Sequence, residues 1–231
     1  KPWKDYLEPK NFNILGGEPL LHKEVPEILL LSKEIFPKSK LTVFTNGIPL
    51  KYSKRLEEIK QALISTDTQV LVSFHSLDKK YRQEIQESID ILNRWRKEGL
   101  DIVFRDCITV WTKRYLLDEE DKIKPFDDKN KEKSWEICNC KYCTFLLEGT
   151  IYKCAPIALL RRMKQIGRMN SQFEKYLESY QGIHFSAKKE EIDTFFKNNF
   201  KPEFICNMCP AYSRKIKNKT IYGVENESKN I

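Results

Sequence analysis

The chain has 231 residues, 40% of them hydrophobic and 12% aromatic, enough for one large α/β domain or a medium domain with a small appendage. Its 41 Lys and Arg against 33 Asp and Glu give a net charge of +8, but the basic residues are spread along the chain, often beside Glu, and read as a solvated surface. No apolar run approaches a membrane span and no secretory signal is present, while five of the seven cysteines stand at CxC or CxxC spacings; this argues against a membrane protein and a disulfide framework and for metal binding in a reducing cytoplasm.

Four apolar, strand-like runs alternate with helical patterns. The first, residues 11–15 (NFNIL), ends at Gly16-Gly17 and precedes a helical pattern over 23–35. The second, 41–44 (LTVF), ends at Thr45-Asn46-Gly47 and precedes a helix over 53–63. The third, 70–74 (VLVSF), ends at His75-Ser76 and precedes a helix over 79–98; the fourth is 101–110. Strand starts recur at the spacing of a βαβ unit, which predicts an α/β fold with a parallel sheet. The character changes after Trp111. Residues 112–137 are charged and turn-rich and read as a linker. Residues 138–154 hold four cysteines, and 155–200 read as helical, with Ser186 as N-cap of a helix over 187–196. Lys201-Pro202 stops that segment, Cys206-Asn207-Met208-Cys209 follows, and the basic tail from Arg214 is expected to fray. The division is therefore 1–111, a linker over 112–137, and a small cysteine-rich domain over 138–231.

Two constellations carry chemistry. Gly16-Gly17-Glu18-Pro19-Leu20-Leu21 sits at the carboxyl end of a strand, where parallel α/β folds place their sites. Paired glycines let a ligand approach the backbone, and a carboxylate beside exposed amides suits an amino-acid moiety. Read locally, the same residues equally make a strand-to-helix turn with Pro19 opening the helix.

The stretch ILGGEPLLHKEVPEIL, then FTNG, then VSFHSLD, resembles the radical S-adenosylmethionine (SAM) superfamily over residues 11 to 209. The resemblance implies a partial (β/α) barrel in which Gly16, Gly17 and Glu18 hold the methionine amino group of SAM. Thr45 and Asn46, then Ser73, His75 and Arg105, line the same pocket by position. It implies that a reduced iron–sulfur cluster cleaves SAM to a 5′-deoxyadenosyl radical, which takes hydrogen from a substrate. The family's CxxxCxxC loop does not occur between Lys1 and Leu15. The expectation is a sequence that starts late, with the SAM-binding cluster supplied by an upstream segment and the chain as it stands inactive by itself.

The second constellation is Cys138, Cys140, Cys143, Cys154, Cys206 and Cys209. If Glu148-Gly149 is a two-residue hairpin turn, Leu147 faces Thr150, and counting outward places Cys143 opposite Cys154, with Cβ atoms ~4.5–5.5 Å apart. Cys206 and Cys209 would complete four ligands, with Cys138 or Cys140 as alternates to Cys143. On spacing alone a zinc site of four thiolates serves as well. Gly149-Thr-Ile-Tyr-Lys-Cys154 followed by CxxC resembles the SPASM/twitch extension of radical SAM enzymes, which implies one auxiliary 4Fe–4S cluster. Cys107, inside a strand pattern, reads as a small core residue. The partners expected are a peptide, a sugar or a nucleotide-linked small molecule as substrate, and an electron donor such as flavodoxin or ferredoxin. The rival reading is a non-enzymatic zinc module that binds nucleic acid through a basic surface, for which interleaved aromatic and basic residues are too sparse.

Overall fold

A computed structural model describes residues 2–76, 78–107, 110–212 and 215–217 of the chain. The elements in order are β1 (Asn11–Ile14), α1 (Val25–Ile35), β2 (Lys40–Thr45), α2 (Leu56–Ser65), β3 (Gln69–Phe74), α3 (Lys79–Lys97), β4 (Ile102–Asp106), β5 (Val110–Thr112), β6 (Leu116–Leu117), β7 (Ile123–Lys124), α4 (Lys131–Glu136), β8 (Phe145–Leu147), β9 (Thr150–Tyr152), α5 (Ala155–Gln165), α6 (Glu174–Ser179), β10 (Ile183–His184), α7 (Lys189–Asn199) and β11 (Lys215–Lys217). They form two compact units, built mainly from Trp3–Val110 and Trp111–Ile216. No helix among the described residues is long and apolar enough to cross a membrane.

The first unit carries a four-stranded parallel sheet in the order β1-β2-β3-β4. Each strand but the last is followed by a helix, as the alternating apolar runs predict. Leu41 and Val43 on β2 and Val70 and Val72 on β3 are buried, because these two strands are central. Val43, Val70 and Val72 pack with Leu29 of α1, Ile59 of α2, and Leu92 and Trp95 of α3 into one apolar core. Asp78 caps α3 by accepting from the amides of Lys80 and Tyr81. Residues 108–109 of the fourth predicted strand lie outside the described residues; β4 itself ends at Asp106.

The second unit holds the antiparallel sheet β10-β9-β8 and the short hairpin β6-β7. Its core gathers Ile157 and Leu160 of α5, Phe173, Tyr176, Ile205 and Met208. The stretch read as a linker, 112–137, contains β6, β7 and α4 and folds into this unit. Its charged sequence conceals that role because, Ile123 of β7 apart, it is held largely through backbone and polar groups. The helical stretch over 155–200 is broken into α5, α6 and α7. Lys188, not Ser186, is the N-cap of α7; the Ser186 hydroxyl pairs instead with His184 Nδ1 at 2.8 Å. The tail from 218 lies outside the described residues.

Candidate functional site

The parallel sheet brings the residues after β1, β2 and β3 to one end. Gly16 and Gly17 follow β1 with φ of +116° and +50°, and a Cβ built on either would meet nothing within 4 Å. Their turn is a backbone conformation that L side chains rarely adopt, open toward solvent. Glu18 then anchors it. Its Oε1 accepts from the Thr45 hydroxyl at 2.6 Å and the Leu20 amide at 3.1 Å, and its Oε2 accepts from the Asn46 amide at 2.7 Å. A carboxylate offers about four lone-pair sites, so its own chain takes most of them. The group read as a partner for an ammonium ion is thus first a staple between the β1 turn and the end of β2.

The other predicted residues differ in how closely they join. Thr45 is buried, and its hydroxyl also accepts from the Gly47 amide at 2.9 Å. The Asn46 side chain accepts from the Ile48 amide and shapes the turn that follows. His75 is half-buried; burial pushes its imidazole below the ordinary range, and the Glu18 charge opposes that. It is therefore within the field of the Glu18 staple. Ser73 faces Arg105 across β3 and β4 in register, Ser73 half-buried and Arg105 exposed. A cavity of about 380 Å³ lies beside this end, lined by Ile14, Leu15, Gly16, Glu18, Leu21 and Val25 among others.

In the second unit the hairpin register is the predicted one. Leu147 pairs with Thr150 across a Glu148-Gly149 turn with φ of +48° and +78°. The ladder, however, ends at Phe145 and Tyr152. Before it the chain turns back, the Cys143 amide donating to Cys140 O at 3.0 Å. Cys143 is exposed and Cys154 is buried, and neither belongs to the ladder. Cys138 and Cys140, the alternates, line a cavity of about 20 Å³ with Cys154, Cys206 and Cys209, among Ile157, Ile205 and Met208.

The electrostatics of the five thiols are uneven. Cys138 is held down at about 6, first by the Cys140 thiol donating to it, then by the Cys140 amide at 3.3 Å and the Arg114 guanidinium at 3.8 Å. Cys140 is raised, first by that same hydrogen bond to Cys138 and then by burial. Burial pushes Cys154 up to about 12 and raises Cys206 and Cys209 as well. These are free sulfurs in an apolar wall, gathered from three stretches of chain. Among the described residues, no group of three or more His, Cys, Asp and Glu is spaced to hold a metal ion.

Sequence reasoning missed the residues that hold this site. Phe126 N–H donates to Met208 O at 3.0 Å, Asp128 accepts from the Ala211 amide at 2.8 Å, and the buried Ser134 hydroxyl donates to Cys209 O at 3.1 Å. All three come from the supposed linker and grip the CxxC turn. Arg114, beside Cys138, comes from it too. Only the Pro-Phe-Asp-Asp turn signal hinted at structure there.

Curated proteins yield no match. The family model described as the radical SAM superfamily matches residues 5–120, which include Gly16 to Glu18 and all four strands of the parallel sheet. This chain belongs to the radical SAM superfamily.

Proposed function

We propose that this chain binds SAM at the carboxyl ends of β1–β4 and holds one auxiliary 4Fe–4S cluster in the cysteine cavity of its second unit. The reaction served is hydrogen abstraction from a peptide or from a sugar- or nucleotide-linked small molecule, of the oxidoreductase or maturase type. Membership of the family implies SAM-derived radical chemistry, in which SAM and a reduced iron–sulfur cluster supply the hydrogen-abstracting radical. The chain's own residues bind and orient. The single observation that carries this reading is the Glu18 staple, which fixes two open glycine backbones at the edge of a cavity.

The division of labour follows from the chemistry of each group. The Gly16 and Gly17 backbone is free to approach an amino-acid moiety, while Glu18 keeps it in place and retains one lone-pair site. His75 offers a hydrogen bond. Arg105 offers a cation to a carboxylate or phosphate. For the cluster the ligands are drawn from Cys138, Cys140, Cys154, Cys206 and Cys209, with Cys143 set aside because it is exposed. An electron donor such as flavodoxin or ferredoxin and a cytoplasmic setting fit cysteines that form no disulfide among the described residues.

Calorimetry of SAM binding tests the first half. The wild-type chain should bind SAM, and Glu18→Ala should weaken that binding at least tenfold by releasing the Gly16-Gly17 turn. Equal affinity in the variant would remove the staple from the site.

A further inference from the structure

Lys153 is among the most completely buried side chains in the molecule, at 2% exposure, although lysine is rarely enclosed. Its ammonium has three N–H groups and three acceptors. They are Asn199 O, Lys201 O at 2.7 Å and the Glu203 carboxylate at 2.7 Å. The Trp135 ring lies 4.4 Å from the nitrogen, and the Lys153 backbone amide donates to the Tyr180 hydroxyl at 2.8 Å. A buried charge persists only when paired this fully.

The positions of these partners matter more than their number. Lys153 immediately precedes Cys154. Residues 199–203 immediately precede the 3-10 turn Phe204–Met208, which carries Cys206 and leads to Cys209. Trp135 lies on α4, which leads to Cys138 and Cys140. Three chain segments, each bearing part of the cysteine set, therefore meet on one ammonium group, and Lys153 itself lines their cavity. We propose that Lys153 is the positioning residue of the cysteine site, the hub that sets the hairpin, α4 and the CxxC turn in register before any metal centre is held. This rests on the reading of the cavity as a cluster site. The alternative role, general stability of the second unit, would not single out the cysteines.

The test compares wild type, Lys153→Met, Lys153→Arg, Glu203→Gln and Asn170→Ala, the last breaking the Asn170–Asp118 hydrogen bond of the same unit without touching the hub. Each chain is purified without air, and iron release to a ferrous chelator is timed after reduction. Lys153→Met should release iron at least tenfold faster than wild type, Glu203→Gln by an intermediate factor, Lys153→Arg more slowly than Lys153→Met, and Asn170→Ala at the wild-type rate. In the metal-free chain, alkylation of Cys206 and Cys209 by N-ethylmaleimide should accelerate in the same order. Equal rates for Lys153→Met and wild type, or for Asn170→Ala and Lys153→Met, would overturn the proposal. If Lys153→Met does not fold, the comparison of Glu203→Gln with Asn170→Ala decides it. A wild-type chain that holds no iron would count against the cluster reading instead, and alkylation of the metal-free chain would still decide the role of Lys153.

Discussion

Thr45→Val probes the staple with little change of shape. The hydroxyl it removes donates to the Glu18 carboxylate at 2.6 Å and accepts from the Gly47 amide at 2.9 Å. A hydrogen bond to an ionised group contributes about 1.5–3 kcal/mol, and leaving a buried amide unpaired costs about 1–3 kcal/mol. Burying an extra methyl at a position only 3% exposed returns about 0.8 kcal/mol. Glu18 is half-exposed, so water replaces part of its loss and the low end of each range applies. The net destabilisation of the first unit is about 2 kcal/mol. With a urea slope of about 2 kcal/mol per molar, the midpoint should fall by about 1 M. The two units need not unfold together, so the readout should be hydrogen exchange of β1–β4 peptides across a urea series. Thr45→Ser keeps the hydroxyl and should lose less than about 1 kcal/mol. A Val variant within about 0.5 kcal/mol of wild type, or a Ser variant as unstable as Val, would refute the reasoning.

Other expectations concern the second unit. Gly149 has φ +78°, and an added Cβ would meet the Phe185 ring at 2.9 Å, so Gly149→Ala should cost more than the ~1–2 kcal/mol of a left-handed residue alone. Its neighbour Glu148 also has positive φ, and Glu148→Asn should stabilise the hairpin by about 0.5 kcal/mol; thermal unfolding reads both. Ser134→Ala should cost about 0.5–1.5 kcal/mol in denaturant and expose Cys209 to alkylation sooner. Asp127 is raised by burial, but hydrogen bonds from Lys175 and Tyr176 outweigh that and hold its carboxyl below the ordinary range. A depressed carboxyl stabilises above its unfolded pKa of ~3.9 and loses that contribution as pH falls through the folded value. Acid titration of unfolding should therefore be shallower below about pH 4 in Asp127→Asn than in wild type.

The parallel sheet was legible because each strand is an apolar run that stops at glycine or a polar turn. The meeting of Glu18, Thr45 and Asn46 followed from parallel strands alone, but the hydrogen bonds between them did not, since no spacing rule joins residues 27 and 28 positions apart. The Glu148-Gly149 turn was legible from its chemistry, and its register was right. The ladder stops at Phe145, where the Cys143 amide turns back to Cys140 O, so the count outward to Cys143 and Cys154 is not continued by strand pairing. Residues 112–137 were misread because the buried Ile123 and scattered polar contacts, such as the Phe126 amide, the Ser134 hydroxyl and the Asp128 carboxylate, leave no apolar periodicity. Lys153 was invisible for a related reason. A lysine at the end of a hairpin strand reads as solvated, and only the tertiary fold shows its three acceptors.

Iron and acid-labile sulfide in the anaerobically purified chain test the central claim most directly, with Cys154→Ala and Cys143→Ala alongside. The proposed auxiliary cluster implies about four iron and four sulfide per wild-type chain, a brown colour, and an electron paramagnetic resonance signal on reduction. Cys143→Ala should retain all of these, because Cys143 is exposed and outside the cavity, whereas Cys154→Ala should lose them. Zinc in place of iron, or iron lost equally from both variants, would contradict the account.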